Sequence, residues 1–242
     1  MANISYPSGN IFDSSSQTIV NTVNCVGVMG KGIALEYKIR YPEMYESYKK
    51  ICDTNNLQIG MLHLWKGENK WVLNFPTKTH YSLPSELNFI KKGLKKFVDT
   101  YKAKGITSIA FPQLGSSLGG LDWEGQVKPL LLDYLSDLPD IDIELYSYDP
   151  SKKDNDFIKL LTKTNRYELE DYINIIGLNK KQSEVLKNAL DNNKIKNTIG
   201  IQSLEGFGEK SLIKVRNFIE SDHVETPMGD LNPKIPGLNI ED

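Results

Sequence analysis

The chain has 242 residues, a formal net charge of −2, 39% hydrophobic and 25% charged residues, the balance of a water-soluble globular protein with a sizeable core. That charge alone points to neither a nucleic-acid nor a membrane partner, and no apolar run reaches transmembrane length. Two cysteines without metal-ligand spacing, and an N-terminus without a signal-peptide pattern, fit a reduced, cytoplasmic protein with no metal and no cofactor.

In chain order, QTIVNTVN at 17–24 reads as a strand, with Ile19, Val20 and Val23 as its apolar members. Residues 32–52 read as helix, split or kinked at Pro42. The stretch 61–76 reads as a β-hairpin with Lys66, Gly67, Glu68 and Asn69 in the turn. Leu87, Ile90, Leu94, Phe97 and Tyr101 recur at three- and four-residue steps, predicting an amphipathic helix with a lysine-rich outer face that ends at Gly105. ITSIAFPQLG at 106–115 is a buried strand, 127–138 a helix and IDIELYSYDP at 141–150 the last strand. This alternation predicts an α/β domain over 1–152, built on a mixed, mostly parallel sheet with flanking helices.

The charged stretch 153–165 reads as a linker. Beyond it, IIGLNKKQSEVLKNAL at 175–190 and LEGFGEKSLIKVRNFI at 204–219 superpose Gly177 on Gly206, an internal repeat at a 29-residue offset. Residues 166–222 are therefore expected to form a small all-α domain, and the proline- and glycine-rich, acidic 223–242 a flexible tail.

Two glycine-rich loops follow predicted strands: VGVMGKG at 26–32 and QLGSSLGGLDW at 113–123. Glycines ahead of a helix leave backbone N–H groups accessible at its positive end, which suits phosphate. One such cluster is equally well a tight turn, whereas two after two parallel strands could clamp a diphosphate from both sides. Neither loop has Walker or dinucleotide-fingerprint spacing, which argues against an ATPase or a dehydrogenase.

With GNI at 9–11, IVNTVNCVGVMGKGIALEYK at 19–38, NFPTKTHY at 74–81, QLGSSLGGLDW at 113–123 and YDP at 148–150, the first domain resembles a macrodomain. More narrowly it resembles the DarG-type branch, the DNA ADP-ribosyl glycohydrolases that counteract DarT toxins. The resemblance implies ADP-ribose as ligand and product. It places Asn10, where the family usually has aspartate, and Ile11 at the adenine, with Tyr148 beside it. Asn21 and Asn24 would face the distal ribose, Gly30, Lys31 and Gly32 would line the first loop, and Ser116, Ser117, Leu118, Gly119 and Gly120 the diphosphate loop. Lys78 is the expected catalytic residue, as nucleophile at the anomeric carbon or as a proton-transfer group, with His80 a possible accessory. Gly119 stands where protein-directed relatives carry aspartate, which points to the DNA-directed branch, a modified thymidine or guanosine and a DarT-like ADP-ribosyltransferase toxin as counterpart.

The second unit resembles a tandem helix-hairpin-helix module, whose hairpins would present backbone N–H groups to a DNA phosphate. Gly177, Asn179, Gly206 and Gly208 would form the hairpins, with Asn179 in a left-handed conformation, and Lys181, Lys210, Lys214 and Arg216 would contact phosphate. Between 176 and 216 the balance is eight Lys/Arg to four Asp/Glu. The expected activity is removal of ADP-ribose from bases of single-stranded DNA. An ADP-ribosyl-protein hydrolase, an O-acyl-ADP-ribose deacylase and a non-catalytic ADP-ribose reader tethered to DNA are the alternatives.

Overall fold

The computed structural model of the chain describes residues 1–222, so the predicted tail at 223–242 lies outside the described residues. One sheet holds β1 (Asn3–Ser5), β2 (Thr18–Asn24), β3 (His63–Lys66), β4 (Trp71–Lys78), β5 (Ser108–Phe111) and β6 (Asp142–Leu145), in the order β1-β6-β5-β2-β4-β3. Neighbours run parallel except the hairpin β3/β4. The mostly parallel α/β domain read from the sequence is what forms. The short edge strand β1 was not anticipated, because three residues carry no readable period.

Pro42 divides the first helical stretch into α1 (Gly32–Arg40) and α2 (Pro42–Asp53), since a proline removes an N–H that a continuous helix would need. These two helices cover one face of the sheet, where Tyr37, Met44 and Tyr48 pack on Ile19, Val23 and Val72. The opposite face carries α3 (Leu87–Lys104) and α4 (Lys128–Leu135), with Ile90, Leu94 and Phe97 on Val20, Leu73 and Phe75. Gly105 ends α3 in the left-handed conformation at φ +76°, as its position after the last periodic residue predicts.

Residues 153–165 are not a linker. Asp154 accepts the Phe157 N–H at 2.7 Å and caps α5 (Asn155–Thr164), whose Phe157 and Leu160 are buried. With α6 (Leu169–Asn174), α7 (Lys180–Asp191) and α8 (Glu209–Glu220), this helix builds a second core around Tyr172, Leu186, Val215 and Phe218. That core takes in Leu35 of α1. Helix α1 is therefore covered on both sides: Tyr37 faces the sheet, and Leu35 and Ile39 face the helical unit. Among the described residues no helix is long and apolar enough to cross a membrane.

A buried ion cluster fastens the two units. Arg40 donates to Glu36 at 2.7 Å and to Asp156 of α5 at 2.5 Å, and its guanidinium lies 4.2 Å from the Phe12 ring centroid. Arg216 of α8 shares the same Asp156 carboxylate and also pairs with Glu220. Burial disfavours the Asp156 charge, but the two guanidinium groups outweigh it and hold the pKa below the ordinary carboxyl value. The stability this gives is full above the unfolded pKa of about 3.9 and is lost as pH falls through the lower folded value. Removing the shared partner leaves Arg40 with Glu36 alone and Arg216 with Glu220 alone, so Asp156→Ala should lower the unfolding free energy by about 1–3 kcal/mol. Urea denaturation at neutral pH measures this, and a loss below about 1 kcal/mol would reduce the cluster to an ordinary surface pair.

Candidate functional site

At the C-terminal ends of the parallel strands the chain leaves a cleft of about 1020 Å³. Its walls come from residues 9–11, the ends of β2 and β4, the loops after β2 and β5, and Tyr146 and Tyr148 after β6. A space of this size matches a dinucleotide-sized ligand.

The first loop is held by the side chain of Asn24. Its Oδ1 accepts the N–H groups of Val26 at 3.0 Å and Val28 at 3.3 Å, and its Nδ2 donates to the Val28 carbonyl at 2.6 Å. The Tyr48 hydroxyl bonds the Asn24 carbonyl from below at 2.8 Å. Gly27 takes φ +79° with α2 directly beneath it, where a Cβ would come within 3.2 Å of the Lys49 side chain. The chain then passes Gly30 and Lys31 into the N-terminus of α1, and all three residues from Gly30 to Gly32 line the cleft. Cys25 beside this loop is inert, because burial pushes its thiol up to about 11.

The second loop closes on itself as a short 3₁₀ turn, Ser117–Gly119, with Ser117 at φ 51° and Gly120 at φ +81°. Residues 116–120 all line the cleft. Ser85 and Ser116 each bury a hydroxyl with no hydrogen-bond partner at this wall. Leu118 reaches across to the first loop, its Cδ1 lying 3.5 Å from where a Cβ on Gly32 would stand.

Lys78 ends β4. A register shift between Val23 and Asn24 sets it opposite Asn24. Its ammonium Nζ donates to the Leu118 carbonyl at 2.6 Å, so the lysine bridges from one strand end to the second loop. Burial lowers its pKa from the usual lysine value. Gly119 leaves the necessary room: a Cβ there would stand 2.6 Å from Ser85 Oγ and 4.0 Å from Lys78 Cε. Lys31 and Lys78 are the only ionisable side chains besides tyrosines among the described residues that line the cleft, and no carboxylate joins them. The site therefore offers two cationic side chains and backbone N–H groups, and it holds no carboxylate pair of the kind glycosidases use.

Of the residues expected in the site, Ile11, Asn24, the two loops, Lys78 and Tyr148 come together. Asn10 also lines the cleft, but its amide is occupied: Oδ1 accepts the Phe12 N–H at 3.2 Å and Nδ2 donates to Asp154 at 2.8 Å. Asn21 does not reach the cleft. It shares the face of Ile19 and Val23 beneath α1 and α2, is fully buried, and donates to Asn74 at 2.9 Å. His80 is turned away, bonded to the Ser82 hydroxyl at 2.7 Å and lying on Tyr81. Residues 81–85, which line the opposite wall, escaped sequence reasoning, as did Tyr146, Thr77 and Ile199. The signal in the first case was a loop carrying the exposed apolar side chains Tyr81 and Leu83.

In the helical unit Gly177 and Gly206 take φ +78° and +79°, so the repeat produces two like turns. Asn179 and Gly208 are extended N-caps of α7 and α8, and the expected left-handed Asn179 is not found. Its side chain instead accepts the Gln182 N–H at 2.9 Å. Arg216 is corrected from a phosphate contact to a member of the buried ion cluster. Lys181 pairs with Glu205 at 2.5 Å, Lys214 donates to the Gly177 carbonyl at 2.5 Å, and Lys210 is exposed.

A mostly parallel sheet whose strand ends carry two glycine-rich loops, with a half-buried lysine between them, defines an α/β domain with its cleft at the C-terminal strand ends. The Macro domain family model matches residues 20–128. The macrodomain of Mycobacterium tuberculosis DarG is 42% identical, covering 60% of this chain and 98% of that one, with a TM-score of 0.58. Thermosipho africanus DarTG, solved in complex with ADP-ribose, is 38% identical over 64% of this chain and 44% of that one, with a TM-score of 0.58. The DNA ADP-ribosyl glycohydrolase of Mycobacterium tuberculosis is 43% identical over 147 residues, which are 59% of this chain and 42% of that protein. The chain thus spans less than half the length of that curated relative. It belongs to the macrodomain family.

Gly119 packs against Ser85, so a test that needs no assumption about the reaction is made in a Ser85→Gly background, where a side chain at 119 finds room. Gly119→Asp would set a carboxylate beside Lys78 and should raise the amine's pKa by about one unit or more. An NMR titration of the Lys78 side chain measures it, and an unmoved pKa would show that the lysine and the second loop are not neighbours.

Proposed function

We propose that the cleft binds ADP-ribose and that the chain hydrolyses the N-glycosidic bond between ADP-ribose and a base of single-stranded DNA, reversing a DarT-like transferase in the cytoplasm. The observation that carries this reading is the Lys78 amine, with its pKa lowered by burial, held at the junction of the two cradles. The relative named DNA ADP-ribosyl glycohydrolase, 43% identical, supports the choice of DNA.

In this reading the amides of the first loop and of the α1 N-terminus face one phosphate and residues 116–120 the other, with Lys31 adding positive charge. The distal ribose then lies at Lys78. Positive, oxocarbenium-like character grows on its anomeric carbon as the base departs. The neutral amine forms the new bond at that carbon, and water releases ADP-ribose from the enzyme. With no carboxylate in the cleft to protonate a leaving group, the chemistry suits a base that departs as a stabilised anion. The ring imide of thymidine does so.

Lys78→Ala should abolish release of ADP-ribose from thymidine-modified single-stranded DNA while ADP-ribose binding, measured by calorimetry, stays within about threefold. Guanosine-modified DNA and modified protein serve as comparison substrates. Undiminished turnover would remove Lys78 from the chemistry, and wild-type binding without cleavage of any conjugate would make the chain a reader. Wild-type activity should also rise with pH through an ionisation below the usual lysine value, because the neutral amine is the reactive form.

We further propose that the two hairpins hold the DNA through the N–H groups of the first turns of α7 and α8, since the amides directly after Gly177 and Gly206 are already bonded within the protein, with Lys181 and Lys210 on phosphates. The Lys181–Glu205 pair is exposed and weak enough to exchange for a phosphate. Replacing both lysines with glutamate should weaken single-stranded DNA binding and flatten its salt dependence, while leaving the affinity for free ADP-ribose unchanged. Unaltered DNA binding would move the contact elsewhere.

A further inference from the structure

One segment of the helical unit touches Tyr148, Asp154 and Gly32 around the cleft. It is the stretch 197–202, entering the 3₁₀ turn Ile199–Ser203. Asn197, buried, accepts the Tyr148 hydroxyl at 3.1 Å and donates to the Pro150 carbonyl at 3.1 Å. Thr198 gives both its N–H and its hydroxyl to Asp154 Oδ2, each at 2.9 Å, and the same oxygen accepts Asn10 Nδ2 at 2.8 Å. Gln202 Nε2 donates to the carbonyl of Gly32, the first residue of α1, at 3.2 Å. Between these anchors Ile199 is partly exposed and lines the cleft.

A macrodomain ending near residue 152 would have none of these groups. Tyr148, 43% exposed even with Asn197 in place, would lose the bond that fixes its ring beside the cleft. Asn10 would lose the carboxylate that orients its amide. The cleft would also lose an apolar side chain from its wall. A flat, largely apolar ligand group meets suitable chemistry here, with Ile11, Ile199 and the faces of Tyr146 and Tyr148 about it.

We propose that residues 197–202 of the helical unit complete the adenosine subsite: Ile199 touches the adenine, while Asn197 and Thr198 are positioning residues acting through Tyr148 and Asn10. This rests on the reading that the cleft takes ADP-ribose with its distal ribose at Lys78. The helical unit is then part of the ligand site as well as a second module.

The test uses the full chain, with calorimetry of ADP-ribose and of ADP, which shares the adenosine half and lacks the distal ribose. Ile199→Ser, at a partly exposed position, should weaken both ligands by the same factor, about tenfold. The maximal rate on modified DNA should be retained while KM rises. Ile199→Trp should block both ligands. Asn197→Ala should weaken both and raise the mobility of Tyr148, read from its NMR ring signals. Equal affinities for ADP in wild type and Ile199→Ser, with unchanged melting temperature, would overturn the proposal and leave the ADP-ribose reading intact. A wild-type chain that binds neither ligand would overturn that reading and this proposal with it.

Discussion

Everything at the cleft depends on where α1 lies, and α1 has no free side. Tyr37 is fully buried toward the sheet and hydrogen-bonds the Val20 carbonyl at 3.0 Å, while Leu35 sits in the core of the helical unit. Arg40 then ties the end of the helix to Asp156. A helix anchored on two faces and at its end cannot rotate or slide without opening two cores and a buried charge cluster. Its N-terminus is one wall of the anion cradle, so the precision of that wall derives from packing far from the ligand.

The charges around the cleft follow one logic. Carboxylates that could have neutralised the cleft are spent elsewhere: Glu36 and Asp156 on Arg40, Asp154 on Asn10 and Thr198. Beside the apolar side chains, what remains charged at the walls is two lysines. Such a surface is positive without a competing internal anion. It also keeps the Lys78 amine from acquiring a carboxylate partner, so burial alone sets its pKa, and sets it downward.

The elements with local signals were legible in the residues. Pro42 parts two helices, Gly105 stops a third, and both glycine loops fall where strands end. What was missed depends on distant partners. Asn21 and Asn24 look alike in the sequence, yet strand alternation under α1 and α2 buries one as a cross-strand pair with Asn74 and makes the other a loop brace. In a strand buried on both faces, polarity does not reveal which side meets the ligand. Residues 153–165 read as a connector because the stretch is charged and lacks glycine loops, but the charges of Asp154 and Asp156 answer Asn10, Arg40 and Arg216, which lie far off in the chain. Arg216 likewise reads as a surface cation, because its partner Asp156 is 60 residues away.

The pairing of Asn10 with Asp154 carries a consequence for how the chain can vary. An aspartate at position 10 would put two carboxylates at the 2.8 Å now spanned by an amide and an acid, and one of them would have to stay protonated. An aspartate at 10 would therefore tie this contact to pH, whereas the amide makes the same bond with Asp154 ionised. The contact joins the two halves of the polypeptide, so the residue that suits position 10 is set by a partner 144 positions away.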